Sequence, residues 1–211
     1  MIVSKSDKAA PSKAGELDPT QKTIQSYELS ARDYAKEISP QPPEFRAAAL
    51  RRLIESVSAA GVILEVGSGT GRDADYVESL GVAVRRTDAT QAFIELQAEK
   101  SKQAALLNIV TDEFGGPYDG ILAMCVLIHV RREQTDAVLR KVARALKPGG
   151  AFLVSVRDGT GEIAGSTFTV YWRRADFLAR LVSAGFLVDW DAPDVDSDGD
   201  KWLTFLARTP H

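Results

Sequence analysis

One cysteine, Cys125, and two histidines, His129 and the terminal His211, are all that this 211-residue chain offers of the usual soft metal ligands. A single thiol excludes an internal disulfide, and without a Cys/His cluster no zinc site is expected, nor any other metal site. No apolar run approaches the ~18 residues that a bilayer-spanning helix needs, and no secretory signal is recognisable, so a cytoplasmic location and no membrane partner are expected. An excess of one charge is also missing. With 26 basic and 29 acidic residues the formal charge is -3, which gives no electrostatic reason to expect nucleic acid as a partner. The pairs Arg85-Arg86, Arg131-Arg132 and Arg173-Arg174 read as solvated helix ends, with a local patch for an anionic substrate left open. Cys125 lies in the apolar run Met124-Cys125-Val126-Leu127-Ile128 and is expected to be buried rather than catalytic.

What the chain does have is glycine in one telling place. The apolar run Ile63-Leu64-Glu65-Val66 leads into Gly67-Ser68-Gly69-Thr70-Gly71, a strand that ends in a loop of alternating glycines before a helix. Such a loop brings bare backbone close to a ligand, and the helix start adds unpaired N–H groups. A dinucleotide fingerprint would need its third glycine at 72, where Arg72 stands, so a nicotinamide or flavin fits less well. Asp88 follows at the end of the next strand-like run, where a carboxylate can accept from two ribose hydroxyls. Together the two features describe an adenosine-type site with no demand for pyrophosphate.

On these residues the chain resembles the class I S-adenosylmethionine-dependent methyltransferases, from about Tyr27 to Arg208. The resemblance also rests on Pro117-Tyr118-Asp119-Gly120-Ile121-Leu122-Ala123 and on the turn Leu146-Lys147-Pro148-Gly149-Gly150. Gly71-Arg72-Asp73-Ala74 and Leu127-Ile128-His129-Val130 are most similar to small bacterial members of the type-11 or type-12 kind. The resemblance implies an α/β fold: a doubly wound, seven-stranded Rossmann-like sheet of order 3-2-1-4-5-7-6 with strand 7 antiparallel. It implies S-adenosyl-L-methionine as cofactor and no second large domain. Residues 1–20 are expected as a flexible tail, 21–44 as a lid segment, and 45–211 as the cofactor-binding domain.

The hydrophobic spacing sets the elements. A short helix carrying Tyr27 and Tyr34 is expected to end at Ser39-Pro40-Gln41-Pro42-Pro43, followed by a one-faced helix from Phe45 to Ala60. A helix from Gln91 to Lys102, a short inner strand from Ala104 to Leu107 and a fourth strand from Tyr118 to Met124 come next. A helix from Arg132 to Leu146 precedes strand five, Ala151 to Val156, then a long loop and a last helix from Arg174 to Ala184. Two final strands, Phe186 to Trp190 and Trp202 to Ala207, enclose an acidic run, Asp191 to Asp200, expected as an exposed hairpin loop. That run lacks the twelfth-position Glu of a calcium loop.

The resemblance assigns the cofactor to Gly67, Ser68, Gly69, Gly71, Asp88, Ala89 and Thr90, with Ala123 at the end of strand four. Glu65 is expected either to take the methionine ammonium or to support the loop; the adenine amine falls to Asn108, to Asp112 or to backbone. Arg72 is expected to be solvated or paired with Asp75. Tyr27 and Tyr34, with Tyr171 and Trp172, are candidates to roof the site; Arg157 can clamp a substrate carboxylate or phosphate, and Trp202 can wall an acceptor or pack in the core. Methyl transfer runs largely on placement and desolvation, so no catalytic triad is required. His129 is the internal imidazole available as a base, or it packs at the helix lead-in. The expected activity is methyl transfer to an oxygen or nitrogen of a small-molecule substrate by a monomer or homodimer. The alternatives are a tRNA wobble-base methyltransferase and a non-catalytic cofactor-binding module.

Overall fold

A computed structural model describes residues 18–58 and 60–211; the expected tail lies mostly outside these residues. The elements are α1 (Pro19–Glu37), α2 (Glu44–Glu55), β1 (Val62–Val66), α3 (Arg72–Ser79), β2 (Ala83–Asp88), α4 (Gln91–Glu99), β3 (Ala104–Leu106) and β4 (Tyr118–Ala123). A 3-10 turn at Leu127–His129 precedes α5 (Arg132–Ala145), β5 (Leu146–Asp158), β6 (Glu162–Ala164), β7 (Phe168–Trp172), α6 (Arg174–Ser183), β8 (Leu187–Val195) and β9 (Lys201–Arg208).

Parallel pairing runs β3-β2-β1-β4-β5, and β9 then joins β5 antiparallel with β8 antiparallel to β9. The last two strands therefore occupy the sixth and seventh places of the expected order, with the seventh reversed. Alternate side chains leave each strand on opposite faces. Leu64, Ile121 and Phe152 join α5 and α6 in one buried cluster, while Ile63, Leu122 and Leu153 join α2 and α3 in the other. Leu50 and Leu53 of α2 are fully buried, and at ~1.5–3 kcal/mol for each such side chain they are enough to seat that helix.

Several boundaries differ from the sequence reading. α1 is 19 residues rather than a short helix, because Asp18 accepts from the Thr20 N–H at 2.9 Å and Pro19 fills the first position, where no N–H is needed. β3 is an edge strand rather than an inner one, with Leu106 63% exposed. Residues 147–150 form a bulge inside β5: Tyr118 pairs with Leu146 and Gly120 with Ala151, so extra residues loop out where Pro148 has no N–H to donate. The loop expected after strand five contains the β6–β7 hairpin. β7 pairs parallel with Arg157 and Asp158 at the tip of β5, on the edge that β4 leaves open, since β9 holds the other edge at Arg157. The first half of the acidic run is strand, since β8 reaches Val195, and the turn Asp196–Asp200 is loop.

Candidate active site

The glycine loop leaves β1 with Gly67, Gly69 and Gly71 at φ of 71°, 53° and 82°, a region that side-chain-bearing residues avoid. Their neighbours differ. A Cβ on Gly67 would overlap Val126, and one on Gly71 would stand 2.7 Å from Arg86 Nη1 and 2.9 Å from Gln97 Oε1. A Cβ on Gly69 would meet nothing within 4 Å, so that glycine faces open space. The loop is tied from several sides. Ser68 N–H donates to the Thr87 carbonyl at 2.8 Å, and Gln97 donates to Ser68 Oγ at 2.8 Å and to the Gly69 carbonyl at 2.9 Å.

Beneath the loop lies Arg86, 3% exposed, paired with Asp75 at 2.6 Å and Glu78 at 2.7 Å. The expectation of a solvated arginine fails here because two carboxylates of α3 reach the guanidinium and compensate its burial. With Asp75 so engaged, Arg72 pairs instead with Asp73, at 3.1 Å. Arg86 and Gln97 are residues the sequence reading missed. The signal for Gln97 was a polar residue four positions after Phe93, on the apolar face of α4.

Asp88, 6% exposed, accepts from the Gly69 N–H at 2.7 Å through one oxygen and from the Thr90 N–H at 2.8 Å through the other. Burial raises its pKa above the ordinary value, and these backbone donors oppose the shift. Each carboxylate oxygen keeps a further lone pair for an incoming hydroxyl. Glu65 differs: its Oε2 is buried without a hydrogen-bond partner. Burial, then the Asp73 charge, push its pKa well above the ordinary carboxylate range. A cation placed beside Glu65 would relieve both effects. Arg46 of α2 reaches the same corner, donating to Asp73 at 3.2 Å and to Cys125 Sγ at 2.9 Å. Two acids and a guanidinium thus gather where the amino and carboxylate groups of an amino-acid moiety can be matched.

The wall opposite is the chain leaving β4. Ala123 is fully buried, so only its backbone can face a ligand. Cys125 is half-buried rather than buried, with φ of 61°, and its N–H donates to Ser155 Oγ at 2.9 Å. A left-handed non-glycine at a strand end is a strained position of the kind found at functional sites. His129 Nδ1 is 2.6 Å from the Phe168 carbonyl. A carbonyl only accepts, so Nδ1 carries the proton and the lone pair of the neutral ring is on Nε2, 3.4 Å from the Tyr27 hydroxyl. Burial, and secondarily the Arg157 charge, hold the His129 pKa below its ordinary value. Tyr27 packs 5.8 Å from Tyr34 and 5.7 Å from Phe93, ring centre to ring centre. Burial pushes the Tyr27 hydroxyl up to about 12.

The remaining expected residues divide. Ala89 and Thr90 lie at the start of α4 beside Asp88. Asn108 Oδ1 accepts from the Val110 N–H at 2.9 Å, and Asp112 accepts from the Asn108 N–H at 2.9 Å, so both side chains shape the turn after β3. Arg157 is the last but one residue of β5, ion-paired to Asp200 and stacked 4.2 Å over the Trp202 ring. Tyr171 lies on β7 beside it. Trp172 is no roof: it is fully buried against Phe177, with Arg132 stacked 3.9 Å from its ring centre. A groove of ≈ 500 Å³ lined by Arg140, Arg144, Lys147, Pro148 and Pro210 lies at the opposite end of the sheet and takes no part in this site.

A doubly wound sheet with a glycine loop after β1 and a carboxylate closing β2 defines a nucleoside-binding protein of the Rossmann type. A family profile described as "Methyltransferase domain" matches residues 64–152. The matched stretch carries the glycine loop and Asp88, and over it the chain is similar to the methyltransferase domains of that family. It is 30% identical over 106 residues to the ubiquinone biosynthesis O-methyltransferase of Caulobacter vibrioides, covering 46% of this chain and 41% of that protein. It is 28% identical over 150 residues to the demethylmenaquinone methyltransferase of Tropheryma whipplei, covering 68% and 61%. The chain thus spans 41–61% of the length of these two curated relatives. Its fold matches the 1,6-didemethyltoxoflavin-N1-methyltransferase of Burkholderia thailandensis with a TM-score of 0.69 at 20% identity, covering 96% of this chain and 95% of that one.

Proposed function

We propose that this protein transfers a methyl group from S-adenosylmethionine to an oxygen or nitrogen of a small metabolite. The observation that carries this reading is the buried Oε2 of Glu65, without a hydrogen-bond partner, on the strand that leads into the loop whose Gly69 faces open space. An ammonium is the group such a carboxylate matches, and Asp88, 6% exposed at the far side of the same loop, matches ribose hydroxyls. When bound, the cofactor supplies an electrophilic methyl on its sulfonium.

The chain's own contribution is to place and dry the reactants. Glu65 and Arg46 hold the amino-acid end, the glycine backbone passes beneath the nucleoside, and Asp88 fixes the ribose. Tyr27, Tyr34 and Phe93 form an aromatic cluster near the 3-10 turn that can exclude water and face a sulfonium. His129 Nε2 is the acceptor for a proton lost by the attacking hydroxyl or amine, and the Nδ1 bond to Phe168 keeps the ring in that tautomer. The α1 segment serves as the lid.

Calorimetry with S-adenosylmethionine, S-adenosylhomocysteine and NAD tests the reading. Both adenosyl-sulfur ligands should bind and NAD should not, and Asp88→Ala should weaken binding by about 1–3 kcal/mol, the scale for losing a charged hydrogen-bond partner. Preferential binding of NAD overturns the assignment.

A further inference from the structure

Strand register brings three unlike side chains together at the carboxyl end of the sheet. Arg157 pairs with Tyr171 of β7 on one edge and with Trp202 of β9 on the other. Partners in a ladder project to the same face, so Tyr171, Arg157 and Trp202 stand in a row. Ser155, two residues earlier in β5, shares that face and reaches the chain leaving β4 through its bond to Cys125. The row therefore lies on the His129 side of the cleft, and the field of Arg157 reaches the imidazole.

The guanidinium is only partly used. One nitrogen, Nη2, pairs with Asp200, whose side chain is 45% exposed and so screened by water. Nε and Nη1 are buried and have no hydrogen-bond partner. Unpaired donors of a buried cation are costly to keep, and a fold that needed Arg157 only to anchor the Asp196–Asp200 turn would not require them. That turn is already built: Asp196 accepts from the Asp198 and Asp200 N–H groups and from Trp202 Nε1. Beyond β5, Gly159 at φ of 147° and Gly161 at 86° turn the chain, and a cleft of ≈ 250 Å³ lined by Gly159, Thr160, Gly161 and Tyr171, with Arg132, Arg173 and Asp176, adjoins the Tyr171 end of the row.

We propose that Arg157, walled by Tyr171 and Trp202, is an acceptor subsite for a carboxylate, so that the methyl acceptor is a planar, ring-bearing acid. A carboxylate is favoured over a phosphate because Asp200 already offsets part of the single positive charge, leaving room for a monoanion. The flat walls suit an aromatic or heteroaromatic body. The proposal rests on the methyltransferase reading, since it takes the acceptor to sit between Arg157 and the cofactor's methyl.

The test uses the full chain saturated with S-adenosylhomocysteine and follows tryptophan fluorescence, with Trp202→Phe identifying the reporting ring. The probes are matched pairs, 3,4-dihydroxybenzoate against catechol and 4-hydroxyphenylacetate against 4-methylphenol, together with inorganic phosphate. At least one acid should bind about tenfold or more tighter than its neutral partner, the scale for a hydrogen-bonded charge, and Arg157→Gln should erase that advantage while leaving affinity for S-adenosylhomocysteine unchanged. Asp200→Asn, which keeps the arginine and removes its partner, should retain or strengthen the preference; losing it as in Arg157→Gln would mark the pair as structural and overturn the proposal. No acid preference in either pair, or phosphate binding tighter than both acids, also overturns it while the cofactor assignment stands. Failure to bind S-adenosylhomocysteine at all would instead remove the methyltransferase reading beneath it.

Discussion

The imidazole of His129 is held by the main-chain carbonyl of Phe168 at 2.6 Å, a contact between the turn after β4 and the hairpin that follows β5. It fixes the proton on Nδ1 and turns the basic nitrogen toward Tyr27. Since burial lowers the His129 pKa below its ordinary 6.5, the ring is neutral and ready as a base at neutral pH. On an accepted substrate, kcat/KM should rise from acid pH to a plateau, with the midpoint of the rise below 6.5. His129→Ala should lower the rate by ~10²–10⁴-fold and flatten that limb. The stability term has a matching sign: a depressed imidazole pKa gives a contribution present above 6.5 and lost as pH falls through the folded-state value. An unchanged rate and pH profile in the variant would assign His129 to packing.

Glu65 behaves in the opposite sense. Its carboxyl pKa is raised well above 4.5, so its contribution to stability is complete below 4.5 and lost as pH rises through the folded value. Glu65→Gln should therefore melt higher than the parent at pH 8 without cofactor, by about 2–4 °C for each kcal/mol regained. The same variant should bind S-adenosylmethionine more weakly. In the parent, cofactor binding should release a proton, read as a dependence of the calorimetric heat on buffer ionisation enthalpy. A lower melting temperature together with unchanged affinity would remove Glu65 from the ammonium site.

The sheet, the left-handed glycines after β1 and the acid that closes β2 were legible because all depend on local chemistry. Apolar runs of strand length, glycines where φ is positive and an acid at a strand end are properties of consecutive residues. Arg46 and Gln97 were not legible, since each acts on partners far along the chain, Arg46 on Asp73 and Cys125 and Gln97 on Ser68, whereas the partners of Arg86, Asp75 and Glu78, lie in the preceding helix and were not matched to it. The β6–β7 hairpin was hidden for another reason. Gly159, Gly161 and Gly165 punctuate it, and β6 is a three-residue strand with every side chain exposed, so it carries no alternation to read. The start of α1 at Asp18-Pro19 was a local signal, but the expectation of a flexible tail outweighed it.

Two alanine substitutions in the glycine loop should separate folding from binding. Gly67→Ala places a methyl against Val126 and strains φ of 71°, so it should lower the melting temperature strongly. Gly69→Ala meets no protein atom within 4 Å, and its φ of 53° lies in the left-handed well that L-residues enter at a cost of roughly 1–2 kcal/mol. It should fold, yet bind S-adenosylhomocysteine much more weakly, because its methyl occupies the face that the ligand approaches. Equal affinity in Gly69→Ala and the parent would show that the nucleoside does not pass over this residue.

The last prediction concerns how α1 is held. Glu28 accepts from the Gln91 N–H at 2.6 Å and the Ala92 N–H at 2.9 Å, one bond to each carboxylate oxygen. Thr90, the residue at the α4 cap position, makes no side-chain cap bond, so a carboxylate from α1 satisfies the orphan donors of the helix that follows Asp88. Arg32 holds the other end of α4 through Glu99 at 2.5 Å, and the Phe168 N–H donates to Thr23 at 2.8 Å. Of these ties the Glu28 cap is the one at the helix start that follows Asp88, so it should couple lid closure to occupancy of the site. Hydrogen exchange in Tyr27 to Ile38 should slow when S-adenosylhomocysteine binds. In Glu28→Ala the same segment should exchange faster with and without ligand, by a factor matching a lost cap of about 0.5–2 kcal/mol. Cofactor affinity should fall while the core strands keep their protection. Exchange in α1 that is indifferent both to the substitution and to the ligand would show that this helix is a fixed part of the domain and not its lid.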